Sequence, residues 1–451
     1  MARYLITTLP SNDLGLLTRS LPIAAELSQR GHTTVFCSPG GAPRKLIADA
    51  GFENLIPTHP LYEMMDVELS LRGCAHFVSS RHWRRHGGLI SFLRQLIPAL
   101  PWRSAPRTAE VWNMDHAGAT MGMLNEGFVR ANCQAFSDVI ERSRADVLVD
   151  FWNPFAVIAA RAMGVPVVTV IQADAHPRSA GFLWWKQPPS DLPTAVPAVN
   201  SVLDSHRLAH VGKLADLSVG DLTLVVGMPE TDPLPEDARV TYVGSLLWQK
   251  KEAALPGWIN ELTRERPLLW VYSGNPRYAS SNTLLDSAVV LHACVDALRN
   301  ANVQVVLTTG HHPLPKELLP LPPNFRHEPY VPGLLMAERS DLLIHHGGYG
   351  SCQTGLYAGK PAVVLPTYSE RYSNARRMSD LGAAEIVHVE NSTGGKRVNT
   401  MELRAAVERV LTNPSYTNNA QRLGQQLRSY GGAPRAAELI ETFTRARLST
   451  Q

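Results

Sequence analysis

The sequence lacks the features that mark several large classes of protein. It has no run of about 18 apolar residues, so we expect no segment that spans a membrane. Its first residues lack a basic stretch followed by a sustained apolar run, so we expect no signal peptide. The five cysteines are scattered and form no CxxC pair, which argues against a disulfide scaffold or a zinc motif. A reduced, cytoplasmic setting fits this pattern best.

The chain also lacks a strong charge of either sign. Forty-three Lys and Arg residues against 40 Asp and Glu leave a net charge of +3, too small a bias to suggest a nucleic-acid-binding protein. A content of 44% hydrophobic and 18% charged residues is typical of a soluble globular protein. With 451 residues, the chain is long enough for two to three domains at about 150 residues each.

Short apolar runs alternate with amphipathic stretches along most of the chain. This alternation predicts parallel sheets whose two faces are covered by helices. Strands are predicted at 4–9, 33–37, 147–151, 165–171, 268–272, 303–308, 341–345, 362–365 and 385–389. A helix should end at Gly31, and Pro22 should lie in its first turn, because a proline deeper in a helix breaks the hydrogen-bond ladder.

The repeat of this scheme in both halves predicts an α/β protein with two doubly wound, Rossmann-like domains facing each other across a cleft. Residues 1–228 form the first domain and residues 263–430 the second. The proline-rich stretch 229–262 has the composition of a linker. We expect a final helix within 431–451, beyond the second sheet, from where it can cross back to the first domain.

The strongest local motif is DLLIHHGGYGSCQTGLYAGKPAVVLP, residues 341–366. A predicted strand ends at the two histidines, a glycine turn follows, and Ser351 is expected to open and cap a helix. Glycines let the backbone approach a ligand closely, and a helix N-terminus offers unpaired N–H groups to an anion. The alternative is a tight strand-to-helix turn with a buried, satisfied histidine. The whole ensemble favours a phosphate site over that alternative.

HHGGYGS, preceded by EPYVPGLL and followed by LPTYSERYSNARRMSDLGAA, resembles the donor-binding signature of family-one nucleotide-sugar glycosyltransferases. The usual form there is W-x-P-Q, then HGG-x-G-S, then P-x-x-x-D/E-Q-x-x-N-A. The motifs are specific mainly over 324–382, while LPIAAELSQRGH and FCSPGG resemble the family's first βαβ unit. The resemblance implies the GT-B fold, with the acceptor in the N-terminal domain and a UDP- or dTDP-sugar in the C-terminal one.

The resemblance also implies roles for individual residues. The donor-binding set it assigns is Ser273, Gly274, Tyr330, Val331, His346, Gly348, Gly350, Ser351, Glu370, Arg371 and Asn374. In this set Tyr330 stacks on the base, His346 faces the diphosphate and Glu370 binds sugar hydroxyls. Arg371 stands where the family usually has Gln, which leaves the sugar open because Arg only donates hydrogen bonds and stays charged. The sequence has no acidic D-x-D motif, so we expect no metal and no cofactor beyond the nucleotide-sugar co-substrate.

The family's usual catalytic histidine, in a G-H-V-x-P pattern, has no counterpart in the loop PSNDLGLLTRSLP. Aligned from the LPIA side, Leu16 takes its position; aligned from the first strand, residues 12–14 do. We favour Asp13 as the base that deprotonates the acceptor, with Asp150 as its orienter or as an alternative base. The alternatives are an Asx turn or helix cap for Asp13 and a structural hydrogen bond for Asp150.

Residues 81–112 break the rhythm of the fold, being rich in Arg and Trp. They form either a lid or wall over an apolar substrate, with a weak membrane-surface contact, or an ordinary helical insertion with a solvated basic face. An aromatic patch near 182–185 precedes a proline-rich stretch and predicts a binding wall. The acceptor-binding set predicted from these observations is Asn12, Trp83, Trp112, Phe182 and Trp184.

Together these observations predict an inverting, metal-independent hexosyltransferase, a monomer or homodimer. Its acceptor is expected to be a small, largely apolar natural product of the bacterial antibiotic kind. Two alternatives remain. The missing histidine would fit a catalytically impaired protein that activates a partner transferase. The two-domain architecture would also fit a nucleotide-sugar epimerase, which needs no acceptor.

Overall fold

A computed structural model describes residues 1–11, 14–65, 79, 81–106, 108, 110–250, 252–274, 288–310, 312–392 and 395–449 of the chain. Two of the predicted site residues, Asn12 and Asp13, lie outside this set. The predicted architecture of two parallel-sheet α/β domains is confirmed. Among the described residues, no helix combines the length and the hydropathy needed to cross a membrane.

The first sheet, as far as the chain is described, has seven parallel strands in the order β3-β2-β1-β4-β5-β6-β7. They are β1 (Arg3–Thr8), β2 (Thr33–Cys37), β3 (Glu53–Asn54), β4 (Val147–Phe151), β5 (Val167–Ile171), β6 (Leu222–Val226) and β7 (Thr241–Gly244). β7 lies inside the stretch that was expected to be a linker, where it pairs with β6 at the edge of the sheet.

Helices cover both faces of this sheet. They are α1 (Gly15–Gln29), α2 (Gly41–Asp49), α3 (Pro60–Met65), α4 (Leu89–Ala99), α5 (Met114–Thr120), α6 (Glu126–Ser143), α7 (Pro154–Ala162) and α8 (Val196–Ser205). Short 3-10 helices lie at His82–His86, Ala173–Ala175 and Leu214–Ser218.

The second sheet has the order β10-β9-β8-β11-β12-β13 in the described residues. Its strands are β8 (Leu268–Tyr272), β9 (Gln304–Thr308), β10 (Phe325–Glu328), β11 (Leu342–His345), β12 (Ala362–Val364) and β13 (Ala384–Ile386), and β14 (Val389–Ser392) pairs separately with β15 (Gly395–Val398). The helices are α9 (Ala288–Leu298), α10 (Gly333–Arg339), α11 (Tyr349–Tyr357), α12 (Ser369–Asp380), α13 (Thr400–Thr412), α14 (Pro414–Ser429) and α15 (Gly432–Leu448). Further 3-10 helices lie at Gly257–Glu261 and Lys316–Leu318.

Two local predictions are wrong. Pro22 lies in the middle of α1, because the helix begins at Gly15. An interior proline costs a helix about 3 kcal/mol, and here the apolar face of α1 is fully buried around it. The single strand expected at 385–389 is divided between β13 and β14. Val387 N–H still donates to Val364 O of β12, and the chain then leaves the sheet to form the hairpin with β15.

The last helix, α15, packs on the first domain rather than on the second sheet that precedes it. Ala436, Ala437 and Ile440 are buried in the same apolar cluster as β1 and α1. At its far end the hydroxyl of Tyr4 donates to Thr444 Oγ1 at 3.1 Å. The helix therefore ties the end of the chain to the first domain.

Each sheet reverses its strand order once, between β1 and β4 in the first and between β8 and β11 in the second. In open parallel sheets the loops on either side of such a reversal point diverge and leave a crevice at the carboxyl ends of the strands. The two crevices are therefore the places where ligands bind in folds of this kind. The predicted site residues in the described chain lie largely at these two positions.

Candidate functional site

The crevice of the second sheet lies between the ends of β8 and β11. These strands pair in register, with His345 opposite Tyr272, so the residues that follow them, His346 and Ser273, leave the sheet side by side. Both side chains are buried. The two loops that the motifs predicted to face a diphosphate from opposite sides are thus brought together by strand pairing.

The imidazole of His346 is held between two glycines. A Cβ atom on Gly274 would lie 2.7 Å from His346 Cε1, and a Cβ atom on Gly348 would lie 2.7 Å from His346 Nε2. Real Cβ contacts are essentially never that short, so any larger residue at either position would displace the ring. Gly274 also has a φ of +82°, which side chains rarely adopt. The glycines are needed here to fix one histidine.

Three buried polar atoms at this point have no hydrogen-bond partner among the described residues: Ser273 Oγ, His345 Nε2 and His346 Nδ1. A buried polar group without a partner costs about 1–3 kcal/mol, and such groups are rare in native proteins. Burial, followed by the nearby Arg371 and His345, holds the pKa of His346 well below its usual value, although a hydrogen bond from the ring to the Tyr272 backbone acts in the opposite direction. The ring is therefore neutral and can act as a hydrogen-bond donor or acceptor but not as a cation.

The helix that follows, α11, begins at Tyr349 with Gly348 as its N-cap. The prediction that Ser351 opens and caps this helix is wrong. Ser351 lies in the first turn, where its N–H donates to Gly348 O at 3.0 Å. The turn starts earlier because Gly347, with a φ of +86°, reverses the chain directly after His346. A Cβ on Gly350 would meet nothing within 4 Å, so this part of the first turn faces open space.

Helix α12, which follows the neighbouring strand β12, contributes further side chains to the site. Asn374 Nδ2 donates to Gly347 O at 3.0 Å and to Glu370 Oε1 at 2.7 Å, which fixes the glycine turn to the acid. Gln172 of the first domain also donates to Glu370 Oε1, at 3.3 Å. Burial raises the pKa of the Glu370 carboxyl. Arg371 donates from its guanidinium to Thr367 Oγ1.

The remaining donor-site residues lie after β10. Tyr330 has 52% of its side chain exposed, whereas Val331 is buried under α10 and β8. An aromatic ring that is exposed while the next residue anchors the backbone in the core is suited to stacking on a flat ligand. The role of Tyr330 in stacking on the base stays a prediction.

One face of α12 also contacts the first domain along its length. Ser369 Oγ accepts the N–H of Val111 at 2.7 Å, and Ser373 Oγ donates to Asp174 Oδ2 at 2.9 Å. Arg377 forms an ion pair with Asp174 at 2.5 Å, with both side chains nearly buried. A buried ion pair is strongly destabilised when one partner is removed. The helix that carries Glu370 is therefore held in a defined position against the first domain.

The crevice of the first sheet has a different character. Asp150, at the end of β4, accepts a hydrogen bond from Thr7 Oγ1 at 2.6 Å and another from the Asn153 N–H at 2.9 Å. Asn153 in turn caps α7 and donates to Thr8 O at 3.0 Å. Burial raises the pKa of Asp150 to about 7. Both carboxylate oxygens are thus engaged within the domain, which favours the structural alternative for this residue.

The four predicted acceptor residues that are described lie in three places. Trp112 and Phe182 are joined by a backbone hydrogen bond, from Phe182 N–H to Trp112 O at 2.9 Å. Trp184 packs edge-on against Trp185, and the guanidinium of Arg376 lies over both rings. Trp83 lies apart, in the 3-10 helix before α4, and no described contact joins it to the others.

A cavity of about 480 Å³ lies between the domains beside this aromatic loop. Leu183 and Trp185 line it from the first domain, and Tyr368 and Tyr372 line it from the second. Its volume lies in the range of pockets that hold small molecules. The sequence pattern predicted Trp184 as the acceptor-binding residue of this loop, whereas its neighbour Trp185 lines the cavity.

Sequence analysis missed Arg19 of α1. Its side chain is 9% exposed, its Nε donates to Gly15 O at 3.0 Å, and its guanidinium lies 5.0 Å from the ring centre of Tyr349 at the start of α11. The first domain thus presents a cation to the turn that follows β11. The sequence offered one hint of this residue: when Leu16 is aligned with the family's histidine, Arg19 takes the place of the proline in G-H-V-x-P.

The sequence comparisons agree with this geometry. Residues 292–444 match the family model described as the erythromycin biosynthesis protein CIII-like C-terminal domain. The uncharacterized UDP-glucosyltransferase YojK of Bacillus subtilis (strain 168) is 28% identical over 227 residues, 50% of this chain and 52% of that protein. The match thus spans about half of the relative's length.

Solved structures match the whole chain. The calicheamicin glycosyltransferase CalG4 superposes with a TM-score of 0.67 at 20% identity, covering 98% of both chains. The glycosyltransferase VinC in complex with DTDP gives a TM-score of 0.64 at 18% identity and covers 98% of this chain and 100% of that one. Identities this low establish the fold. The chain therefore has the GT-B fold, and its residues 292–444 match the EryCIII-like C-terminal domain.

Proposed function

We propose that this protein is an inverting glycosyltransferase that moves a hexose from a UDP- or dTDP-sugar to a small, largely apolar acceptor. The observation that carries the proposal is the pair of buried, unpartnered atoms, Ser273 Oγ and His346 Nδ1, beside the open first turn of α11. A diphosphate supplies an acceptor for the Ser273 hydroxyl, and it accepts from His346 Nδ1 when the single ring proton lies there rather than in a hydrogen bond to the Tyr272 backbone. The helix N-terminus adds about half a positive charge.

These groups stabilise the charge that the leaving group gains. As the anomeric C–O bond breaks, its electron pair passes to the nucleoside diphosphate. Donors fixed before the reaction do not have to reorganise while that charge develops. Arg19 supports the same role, because it places a full positive charge at the start of α11 from the opposite domain. The proposed chemistry therefore needs no metal ion.

The acceptor would attack from the first domain, on the side of the sugar opposite the diphosphate, which inverts the anomeric carbon. Its hydroxyl forms the new bond to that carbon and gives its proton to a base. We assign the base to Asp13, which lies outside the described residues in the loop after β1. Asp150 then holds the ends of β1 and β4 in register beneath that loop through Thr7.

The sugar would lie between α12 and the first domain. Glu370 supports this assignment because it is half-buried, accepts hydrogen bonds from Asn374 and Gln172, and lies in the first turn of α12, whose Asn374 also bonds the glycine turn. The cavity beside Trp185 and Tyr372 supports a flat or apolar acceptor. The names of the relatives, which include a calicheamicin glycosyltransferase, favour a natural product of the antibiotic kind.

Turnover by the purified protein tests the proposal. The chain alone should consume a UDP- or dTDP-sugar only when an acceptor from a panel of aromatic and macrolide aglycones is present, and chelation of metals should leave the rate unchanged. Mass spectrometry identifies the product, and NMR of its anomeric proton reports inversion. Donor conversion without any acceptor would favour an epimerase instead. No turnover until a second protein is added would favour an auxiliary role.

A further inference from the structure

Residues 81–106 form a surface that the proposed sugar transfer does not use. Of the eleven large apolar side chains exposed among the described residues, five lie on this segment. They are Leu89, Ile90, Leu93, Ile97 and Trp102, with exposed fractions of 49, 77, 40, 51 and 68%. Single exposed apolar residues are ordinary, but a concentrated cluster marks a binding surface.

Helix α4 is apolar on both of its faces. Phe92, Leu96 and Ala99 point inward and are buried. Ile90, Leu93 and Ile97 are spaced as neighbours on the opposite face, at intervals of three and four residues, and point outward. The buried face of α4 already makes its contacts with the core. The exposed apolar face adds no stability to the fold. The outward face therefore calls for a separate explanation.

The end of α4 holds Trp102 in place. Its indole Nε1 donates to Ile97 O at 2.7 Å, although 68% of the side chain is exposed. The ring is thus pinned beside the last turn of the helix, with its polar edge satisfied and its apolar area open. Tryptophan with one satisfied edge is the residue type that concentrates at membrane–water interfaces.

The charges around this face are of one sign. From Arg81 to Ala109 the sequence contains six arginines and no Asp or Glu. The five that the structure describes, Arg81, Arg84, Arg85, Arg94 and Arg103, are exposed, and no described carboxylate pairs with them. Two histidines in the same stretch, His82 and His86, face Glu63, which keeps that acid away from the arginines.

We propose that this face docks onto an anionic lipid bilayer, with the outward side chains of α4 and Trp102 in the headgroup region and the arginines on lipid phosphates. The charge complementarity selects the partner: an apolar face on a segment that carries exposed arginines and no acid of its own matches a negatively charged surface over a hydrocarbon layer. The proposal does not depend on the sugar transfer, and it is tested without substrates.

Flotation with lipid vesicles is the direct test. The full chain should float with vesicles of equal parts phosphatidylglycerol and phosphatidylcholine and stay behind with phosphatidylcholine alone, and added salt should weaken the binding. The variant Ile90→Ser/Leu93→Ser/Ile97→Ser should lose at least about tenfold in vesicle affinity, because three apolar contacts are removed. Arg84→Gln/Arg85→Gln/Arg94→Gln should lose a similar amount.

A matched control uses exposed apolar residues elsewhere, in the variant Met163→Ser/Leu319→Ser/Met401→Ser, which should bind vesicles like the parent. All changed side chains are exposed, so thermal melts should stay close to that of the parent and verify folding. Absence of vesicle binding by the parent overturns the proposal, as does equal loss in the control. Self-association in solution that the α4 variant abolishes, without vesicle binding, would assign the face to a second copy of the chain and also overturn it.

Discussion

The two crevices of the molecule occupy equivalent places in their sheets but are finished in opposite ways. At the end of β4, Asp150 has both oxygens engaged by Thr7 and Asn153. At the ends of β8 and β11, Ser273 Oγ and His346 Nδ1 are buried and unpartnered within the described chain. One site is closed by its own hydrogen bonds, and the other is left incomplete.

This difference indicates which site was shaped around a ligand. Buried polar atoms without partners cost stability and call for an explanation, of which a bound ligand is one. A complete set stabilises the fold and leaves little capacity to take a proton from a substrate. The proposed function therefore puts the leaving group in the second crevice and leads us to expect the base from Asp13 rather than from Asp150.

Replacing Asp13 by Asn should have the largest effect on activity. A positioned general base contributes about 100- to 10,000-fold to a rate, so turnover should fall by that range while UDP or dTDP affinity stays at the parent value. Steady-state kinetics and calorimetric titration measure the two quantities. Retained turnover in this variant would return the base to Asp150 and remove the contrast between the crevices.

The glycines around His346 allow a matched pair of variants only two residues apart. Gly348→Ala places a methyl group 2.7 Å from the imidazole, whereas Gly350→Ala places one in open space at an allowed backbone conformation. The first change should lower nucleotide affinity at least about tenfold, or about 1.4 kcal/mol, by moving the ring. The second should leave thermal stability unchanged, and any loss of affinity it causes would locate the phosphate at the first turn of α11. Equal affinity in Gly348→Ala and the parent would contradict the role of His346.

Asp150 should influence stability rather than affinity. Its folded pKa, raised by burial to about 7, means that the folded chain keeps a proton that the unfolded chain has released above about pH 4. The free energy of unfolding should therefore fall as pH rises from about 4 to about 7. Asp150→Asn removes this contribution, so denaturant melts across that range should give a flatter pH dependence for the variant.

The same variant also has a cost that does not depend on pH. The amide keeps one acceptor oxygen for the donors of Thr7, Trp152 and Asn153, and a buried donor that is left unpaired destabilises the fold by about 1–3 kcal/mol. Asp232, whose pKa burial raises to about 6, acts alike in parent and variant and cancels in the comparison. If the free energy of unfolding depended on pH in the same way in both proteins, Asp150 would be ionised in the folded chain and could act as a base.

The cavity beside the aromatic loop provides a smaller test on the side of the acceptor. Trp185→Ala enlarges the space between Leu183 and Tyr372 and removes a ring that Arg376 covers. We expect a several-fold higher KM for the acceptor, with an unchanged KM for the donor. Trp83→Ala is the matched control, because Trp83 lies outside this cavity. A larger acceptor effect in the control would move the acceptor site to residues 81–106.

Much of the fold and the donor turn could be predicted from sequence because both depend on local patterns. Continuous apolar runs predicted most strands of the two sheets, and the glycines after His345 predicted the turn. Short or polar edge strands, such as β7 and β10, gave no such run. The start of α11 was misplaced because Ser351 is a favoured cap, whereas Gly347 and its positive φ decide where the turn begins.

What could not be predicted depends on residues far apart in the chain. The engagement of Asp150 becomes visible only when β1 and β4 pair in register. The ion pair of Asp174 with Arg377 joins residues more than 200 positions apart. The contact of Arg19 with Tyr349 at the start of α11 becomes visible only in the folded chain. Patterns in sequence predicted candidate residues for the chemistry, and tertiary contacts decide which of these candidates are available for it.

The most direct measurement is a calorimetric titration of UDP and dTDP into the parent protein and into Ser273→Ala. The account predicts that one of the nucleotides binds and that the variant binds about tenfold more weakly, since one hydrogen bond to a charged group is lost. The variant should unfold at the same or a higher temperature, because it loses an unpartnered buried hydroxyl. Equal nucleotide affinity in both proteins, or no binding by the parent, would contradict the claim that this crevice holds a diphosphate.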